Sequence, residues 1–83
     1  MMKFNSRTLL NRITIDPGIF GGKPIIRGMR ISVEMILEQL AQGVAIDEIV
    51  EDYPDLEYDD VLACFAYAHS VISNEILEEI EMI

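Results

Sequence analysis

The sequence predicts a mainly α fold: a small N-terminal β-hairpin, a three-helix core of helix-turn-helix type, and an acidic C-terminal helical extension. Three observations lead there. Short apolar segments bounded by Gly and Pro fill residues 12–31, the pattern of brief strands and turns. From position 32 onward apolar residues recur at helical spacing in successive windows, punctuated by Gly43 and Pro54. Two helices joined at Gly43, with a third after Pro54, follow the order of a helix-turn-helix core.

Residues 1–11 are polar and basic with no clean period and read as a partly ordered basic arm. Residues 12–69 form a single domain. Arg12–Ile15 alternates as a short half-buried strand, with Ile13 and Ile15 inward. Asp16-Pro17-Gly18 is a turn in which Asp16 accepts local amide hydrogen bonds. Lys23-Pro24 leads into Ile25-Ile26, and Pro24 places that segment at a strand start or edge, because it has no amide to donate. Gly28 and Met29 reverse the chain towards a second leg at Arg30-Ile31.

Ser32 opens the first predicted helix as N-cap, with Glu34 in its first turn. Val33, Ile36, Leu37 and Leu40 form the apolar face, Glu34, Glu38 and Gln39 the outer one, and Gly43 ends the helix. Asp47–Tyr53 is a second, short helix stopped by Pro54. The third begins near Tyr58-Asp59-Asp60, with Val61, Leu62, Phe65, Ala68, Ile72 and Ile76 as its buried stripe. Periodicity leaves open whether Ser73-Asn74 interrupts it. Residues 70–83 form an acidic amphipathic extension.

Charge is divided along the chain. Six basic residues oppose Asp16 alone before position 31, whereas fourteen acidic and no basic residues follow. The first segment therefore carries about +5, the second about −14, and the whole −9. That total argues against broad binding to nucleic acid or anionic membrane, and the local surplus alone leaves nucleic acid open. The candidates for such contact are Lys3, Arg7, Arg12, Lys23, Arg27 and Arg30. On a hairpin packed against acidic helices both Arg27 and Arg30 read as pairing internally, Arg30, four residues before Glu34, best placed of the two, and Lys23 reads as exposed. The predicted third helix is a poor DNA reader, since Glu57, Asp59 and Asp60 at its start repel phosphate.

The apolar content of 51% is rich for a lone 83-residue chain, which buries only about 60–65% of its unfolded surface. A homodimer or a partner surface is the expected use of the excess. Ile72, Ile76, Leu77, Ile80 and Ile83 are the candidate partner or dimer contacts. Tyr58, Leu62, Phe65, His69, Ile72, Ile76 and Ile83 fall at alternating four- and three-residue spacing, with Glu79 the misfit, a pattern suited to helix pairing.

No catalytic, cofactor or metal site is expected. Cys64 and His69 are five apart with no second pair for zinc, and Gly21-Gly22-Lys23 lacks the phosphate-loop spacing. The single cysteine excludes an intrachain disulfide and points to a cytoplasmic setting. No apolar run is long enough for a membrane span, and no signal peptide is evident.

Asp16-Pro17-Gly18, the block Gly21-Gly22-Lys23-Pro24-Ile25-Ile26-Arg27-Gly28-Met29-Arg30-Ile31, then Gly43, Glu48-Ile49, Tyr53-Pro54 and Val61–Ala68 resemble the bacterial family catalogued as domain of unknown function 433. The resemblance covers roughly residues 12–69. It implies a homeodomain-like helix-turn-helix fold and a type II antitoxin that masks a PIN-like ribonuclease toxin and represses its own promoter. It also implies that an Arg of the basic block enters the carboxylate-rich metal site of that toxin. Met29 departs from the usual Thr, and Ala45 and Glu57 replace the usual hydroxyl N-caps.

Overall fold

The computed structural model describes the backbone of residues 6–82 and the side chains of residues 8–73. The elements run α1 (Ser6–Leu10), β1 (Ile13–Ile15), a 3-10 turn (Phe20–Gly22), β2 (Pro24–Ile26), α2 (Val33–Ala41), α3 (Ile46–Asp52) and α4 (Tyr58–Met82). The fold is mainly helical with one two-stranded antiparallel sheet. Part of the expected arm is helical: α1 packs against α4, an interaction that a five-residue segment without periodicity could not announce.

Strand β1 pairs with β2 in the register Ile13 to Ile26, Thr14 to Ile25 and Ile15 to Pro24. Ile25 and Ile26 are fully buried, while Ile15 is 65% exposed, so the expected inward alternation of β1 holds only at Ile13. The Asp16 carboxylate accepts from the Gly18 amide at 2.8 Å, as its turn position requires. The second leg expected at Arg30-Ile31 is reduced to a bridge between Ile25 and Ser32, because the chain enters α2 at once. Between them Arg27 and Gly28 have φ of 44° and 72°, and the Met29 amide bonds the Ile26 carbonyl at 2.7 Å. Positive φ at both central positions is the requirement of a type I′ turn, normal for Gly28 and unusual for Arg27.

Ser32 caps α2, its Oγ accepting from the Met35 amide at 3.0 Å. Gly43, at φ 93°, ends the turn after α2 as the sequence requires. Ala45 has no side-chain acceptor for α3, and only the return bond from its amide to Glu48 Oε1 forms, at 3.4 Å. Tyr53 leaves α3 and accepts from Gln39 of α2 at 3.3 Å. The core joins Ile26, Val33, Ile36, Ile49, Leu56, Val61 and Cys64, one cluster drawn from β2, α2, α3, the following loop and α4.

Helix α4 continues through Ser73-Asn74 without interruption, which answers the question that periodicity left open there. Its buried side differs from the expected stripe. Asp60, Val61, Ala63, Cys64 and Ala66 are buried, whereas Phe65 and Ile72 are 44% and 51% exposed. A long helix can be apolar on two faces, and periodicity does not say which one meets the core.

Candidate functional site

Two features stand out among the described residues: a charge cluster around a buried carboxylate at the start of α4 and an open apolar groove beside its middle. The cluster centres on Asp60, whose side chain is fully buried. Its Oδ1 accepts from Arg12 Nη1 at 3.0 Å and Arg27 Nε at 3.0 Å, and its Oδ2 accepts from Arg27 Nη2 at 2.8 Å and the Glu57 amide at 2.8 Å. The last bond is the N3-to-N-cap half of a capping box at the start of α4; the other half, a hydroxyl at position 57 accepting from the Asp60 amide, is one that Glu57 does not supply. Arg12 also pairs with Glu57 at 2.7 Å and lies 3.8 Å from Asp59. Arg27 reaches the Asp55 carbonyl at 2.9 Å.

Burial opposes ionisation of Asp60, but Arg27, the Glu57 amide and Arg12 outweigh it and hold the carboxyl below its ordinary range. Both guanidiniums are correspondingly raised, Arg12 chiefly by its bonds to Glu57 and Asp60, Arg27 chiefly by its bond to Asp60. The arrangement ties the strand entry, the turn after β2 and α4 to one carboxylate. It also accounts for Arg27 in a left-handed conformation, since three hydrogen bonds offset a backbone cost of order 1–3 kcal/mol.

The groove lies between β2 and α2 on one side and α4 on the other, with a volume of about 710 Å³. Pro24, Val33, Leu37, Tyr67, Val71 and Ile72 supply apolar walls, and Lys23, Glu34 and Glu38 lie along its polar edge. Lys23 bonds Glu34 at 2.8 Å between two well-exposed side chains. A smaller depression of about 340 Å³ adjoins it over the start of α2, bordered by Phe20 and Met35. Glu34 and Glu38, one helical turn apart, therefore face both hollows.

The predicted contact residues are distributed differently from their expected roles. Arg12 and Arg27 are internal clamps. Glu34 is taken by Lys23, not Arg30, because the β2 entry, not the turn after it, approaches the first turn of α2. The Arg30 side chain is exposed and forms no hydrogen bond or ion pair among the described residues. Ile72 lines the groove. Lys3 and the side chains of Arg7, Ile76, Leu77, Ile80 and Ile83 lie outside the described residues. The groove walls were missed because Leu37, Tyr67 and Val71 look like core positions. Asp60 was read as one of three repelling carboxylates; it lies three residues after Glu57, from where its side chain reaches back to the Glu57 amide, but with Glu at position 57 the sequence carries no capping-box signature there.

Cys64 is buried in the core and its thiol is pushed up to about 12 by burial and by the nearby Asp60 charge. It is a packing residue, not a nucleophile. No helix among the described residues is long and apolar enough to cross a membrane.

A small helical domain with an ionic cluster around one buried carboxylate and an open apolar groove is thus defined. The family model described as "Protein of unknown function (DUF433)" matches residues 13–68, and the chain belongs to that family. A crystal structure of a DUF433 member protein from Anabaena variabilis is similar at 33% identity and a TM-score of 0.69, over 90% of this chain and 73% of that one. The uncharacterized protein y4eO of Sinorhizobium fredii is 29% identical over 58 residues, 70% of this chain. The matched part is 26% of that relative, so this chain spans about a quarter of its length.

Proposed function

We propose that this chain is a non-enzymatic, cytoplasmic antitoxin whose α2–α3–α4 unit is a homeodomain-like helix-turn-helix scaffold and whose groove receives a segment of a PIN-like ribonuclease. One observation carries the preference for a protein partner. The arginines that nucleic acid would use are bonded internally, while an apolar groove with carboxylates on its edge stands open. An amphipathic helix laid into such a groove buries its apolar face and presents Lys or Arg to Glu34 and Glu38. The ribonuclease identity rests on the family resemblance, not on the groove. Arg30, exposed and unpaired among the described residues, is the basic-block arginine available to enter the partner's carboxylate site.

Co-expression with the product of the neighbouring gene tests the reading. The pair is expected to co-purify and the ribonuclease to be silent. Leu37→Asp, on a half-buried groove wall, is expected to release it while the helical circular-dichroism signal persists. Retained binding by a folded Leu37→Asp variant rejects the groove.

DNA binding, as autoregulation or by a stand-alone regulator, is the second reading, favoured only by Arg30 and the basic residues near the N-terminus. A salt-titrated shift assay on the chain's own promoter addresses it. Each phosphate contact adds about 0.9 to the slope of log affinity against log salt, so Arg30→Ala is expected to lower that slope by about one. An unchanged slope removes Arg30 from the interface.

A further inference from the structure

The turn before β2 holds Phe20 in an unusual state. Its φ is 50°, in the left-handed region, and Gly21 and Gly22 follow at 64° and 89°. Glycine adopts such angles freely, whereas a bulky aromatic residue rarely does. The turn is closed by bonds from the Gly22 amide to the Ile19 carbonyl at 3.1 Å and from the Lys23 amide to the Phe20 carbonyl at 3.3 Å. Core packing does not offset the strain, because Phe20 lies outside the hydrophobic cluster and is 43% exposed. Its ring instead borders the hollow of about 340 Å³ over the start of α2, together with Lys23, Glu34, Met35 and Glu38.

That hollow and the larger groove share the rim formed by Lys23, Glu34 and Glu38. Lys23 pairs with Glu34 between exposed side chains, a kind of pair that contributes little in water and is easily exchanged. Glu38 is exposed, and its carboxylate forms no hydrogen bond or ion pair among the described residues.

We infer that the smaller hollow is a recognition pocket for one arginine of the docked helix: its guanidinium stacks on Phe20, bonds Glu38, and takes Glu34 from Lys23. The helix that brings the arginine rests on the groove reading; the choice of arginine comes from the pocket. Two carboxylates against one lysine select a cation. The aromatic wall then selects guanidinium over ammonium. A guanidinium is planar and weakly hydrated, stacks on a ring, and meets a carboxylate with two parallel hydrogen bonds, whereas an ammonium is a compact, strongly hydrated charge. Lys23 is thus the resident cation that the partner displaces, and not itself a partner contact.

The pocket is tested by titrating the 15N-labelled full chain with Nα-acetyl-arginine amide at millimolar concentration. The citrulline amide serves as the uncharged isostere and the lysine amide as the competing cation. Saturable shifts of the Phe20, Lys23, Glu34 and Glu38 amides are expected with arginine, weaker ones with lysine and none with citrulline. Phe20→Leu is expected to weaken arginine binding by roughly two- to fivefold, the worth of an exposed cation–π contact, with little change for lysine. Lys23→Met is expected to tighten it. The unperturbed remainder of each spectrum reports that the variants fold. No saturable shift with arginine, equal shifts with lysine, or an unchanged arginine affinity in Phe20→Leu overturns the proposal. The two readings fail separately. Release of the partner by Leu37→Asp with no arginine shifts rejects the pocket alone, whereas arginine shifts with a partner retained by Leu37→Asp reject the groove and leave the pocket standing.

Discussion

Replacing Asp60 by Asn keeps the shape of the buried side chain and removes its charge. An amide has one acceptor oxygen where the carboxylate has two, so two of the four hydrogen bonds are lost. The amide nitrogen also confronts donors: either Arg12 Nη1 with Arg27 Nε, or Arg27 Nη2 with the Glu57 amide. Charged hydrogen bonds contribute about 1.5–3 kcal/mol each, and breaking a buried ion pair costs about 3–5 kcal/mol. Arg12 and Arg27 retain 27% and 39% side-chain exposure, so water partly resolvates them and the lower end, about 3 kcal/mol, applies. A domain of this length has roughly 4–12 kcal/mol in total. Thermal melting followed by far-ultraviolet circular dichroism at pH 7 is therefore expected to shift down by at least about 12 °C, at 4–8 °C per kcal/mol. Asp59→Asn, whose side chain is 57% exposed and 3.8 Å from Arg12, is the control and is expected to move the midpoint little. A shift for Asp60→Asn of less than about 4 °C would refute the clamp.

The pH dependence has a definite sign: the folded Asp60 carboxyl titrates below its unfolded value, so the unfolded state binds more protons and stability rises with pH across that interval. The difference between wild type and Asp60→Asn is full at pH 7 and shrinks as pH falls below about 4, which acid titration of the two melting midpoints checks. Arg27→Ala is expected to destabilise strongly and Arg30→Ala by less than about 0.5 kcal/mol, measured by urea unfolding, because only Arg27 is bonded to Asp60. Ala45→Asp is expected to gain about 0.5–2 kcal/mol by supplying the missing N-cap acceptor of α3, read as a higher urea midpoint. Cys64 is expected to resist a thiol reagent at pH 8 in the native protein and to react on unfolding; native-state labelling at the rate of a free thiol would contradict its burial.

Local rules determined much of this protein. The Asp16 turn, the Ser32 cap, the stop at Gly43 and the apolar face of α2 follow from residue chemistry within a few positions, and the sequence alone was enough to place them. The family was legible for the same reason, since its block from Gly21 to Ile31 is dense in Gly, Pro and Arg at turn positions. Partnership over distance was not legible. Arg12 and Arg27 lie 48 and 33 residues from Asp60, and no spacing rule connects them. Internal pairing was legible as a tendency of Arg27 but its partner was not, and Arg12 looked available for phosphate until the fold brought a carboxylate against it. The two apolar faces of α4 were likewise present in the sequence as overlapping periodicities. Only the tertiary packing decided that Val61 and Cys64 face inward and Phe65 and Ile72 outward, because burial depends on where β2, α2 and α3 come to rest and not on the helix itself.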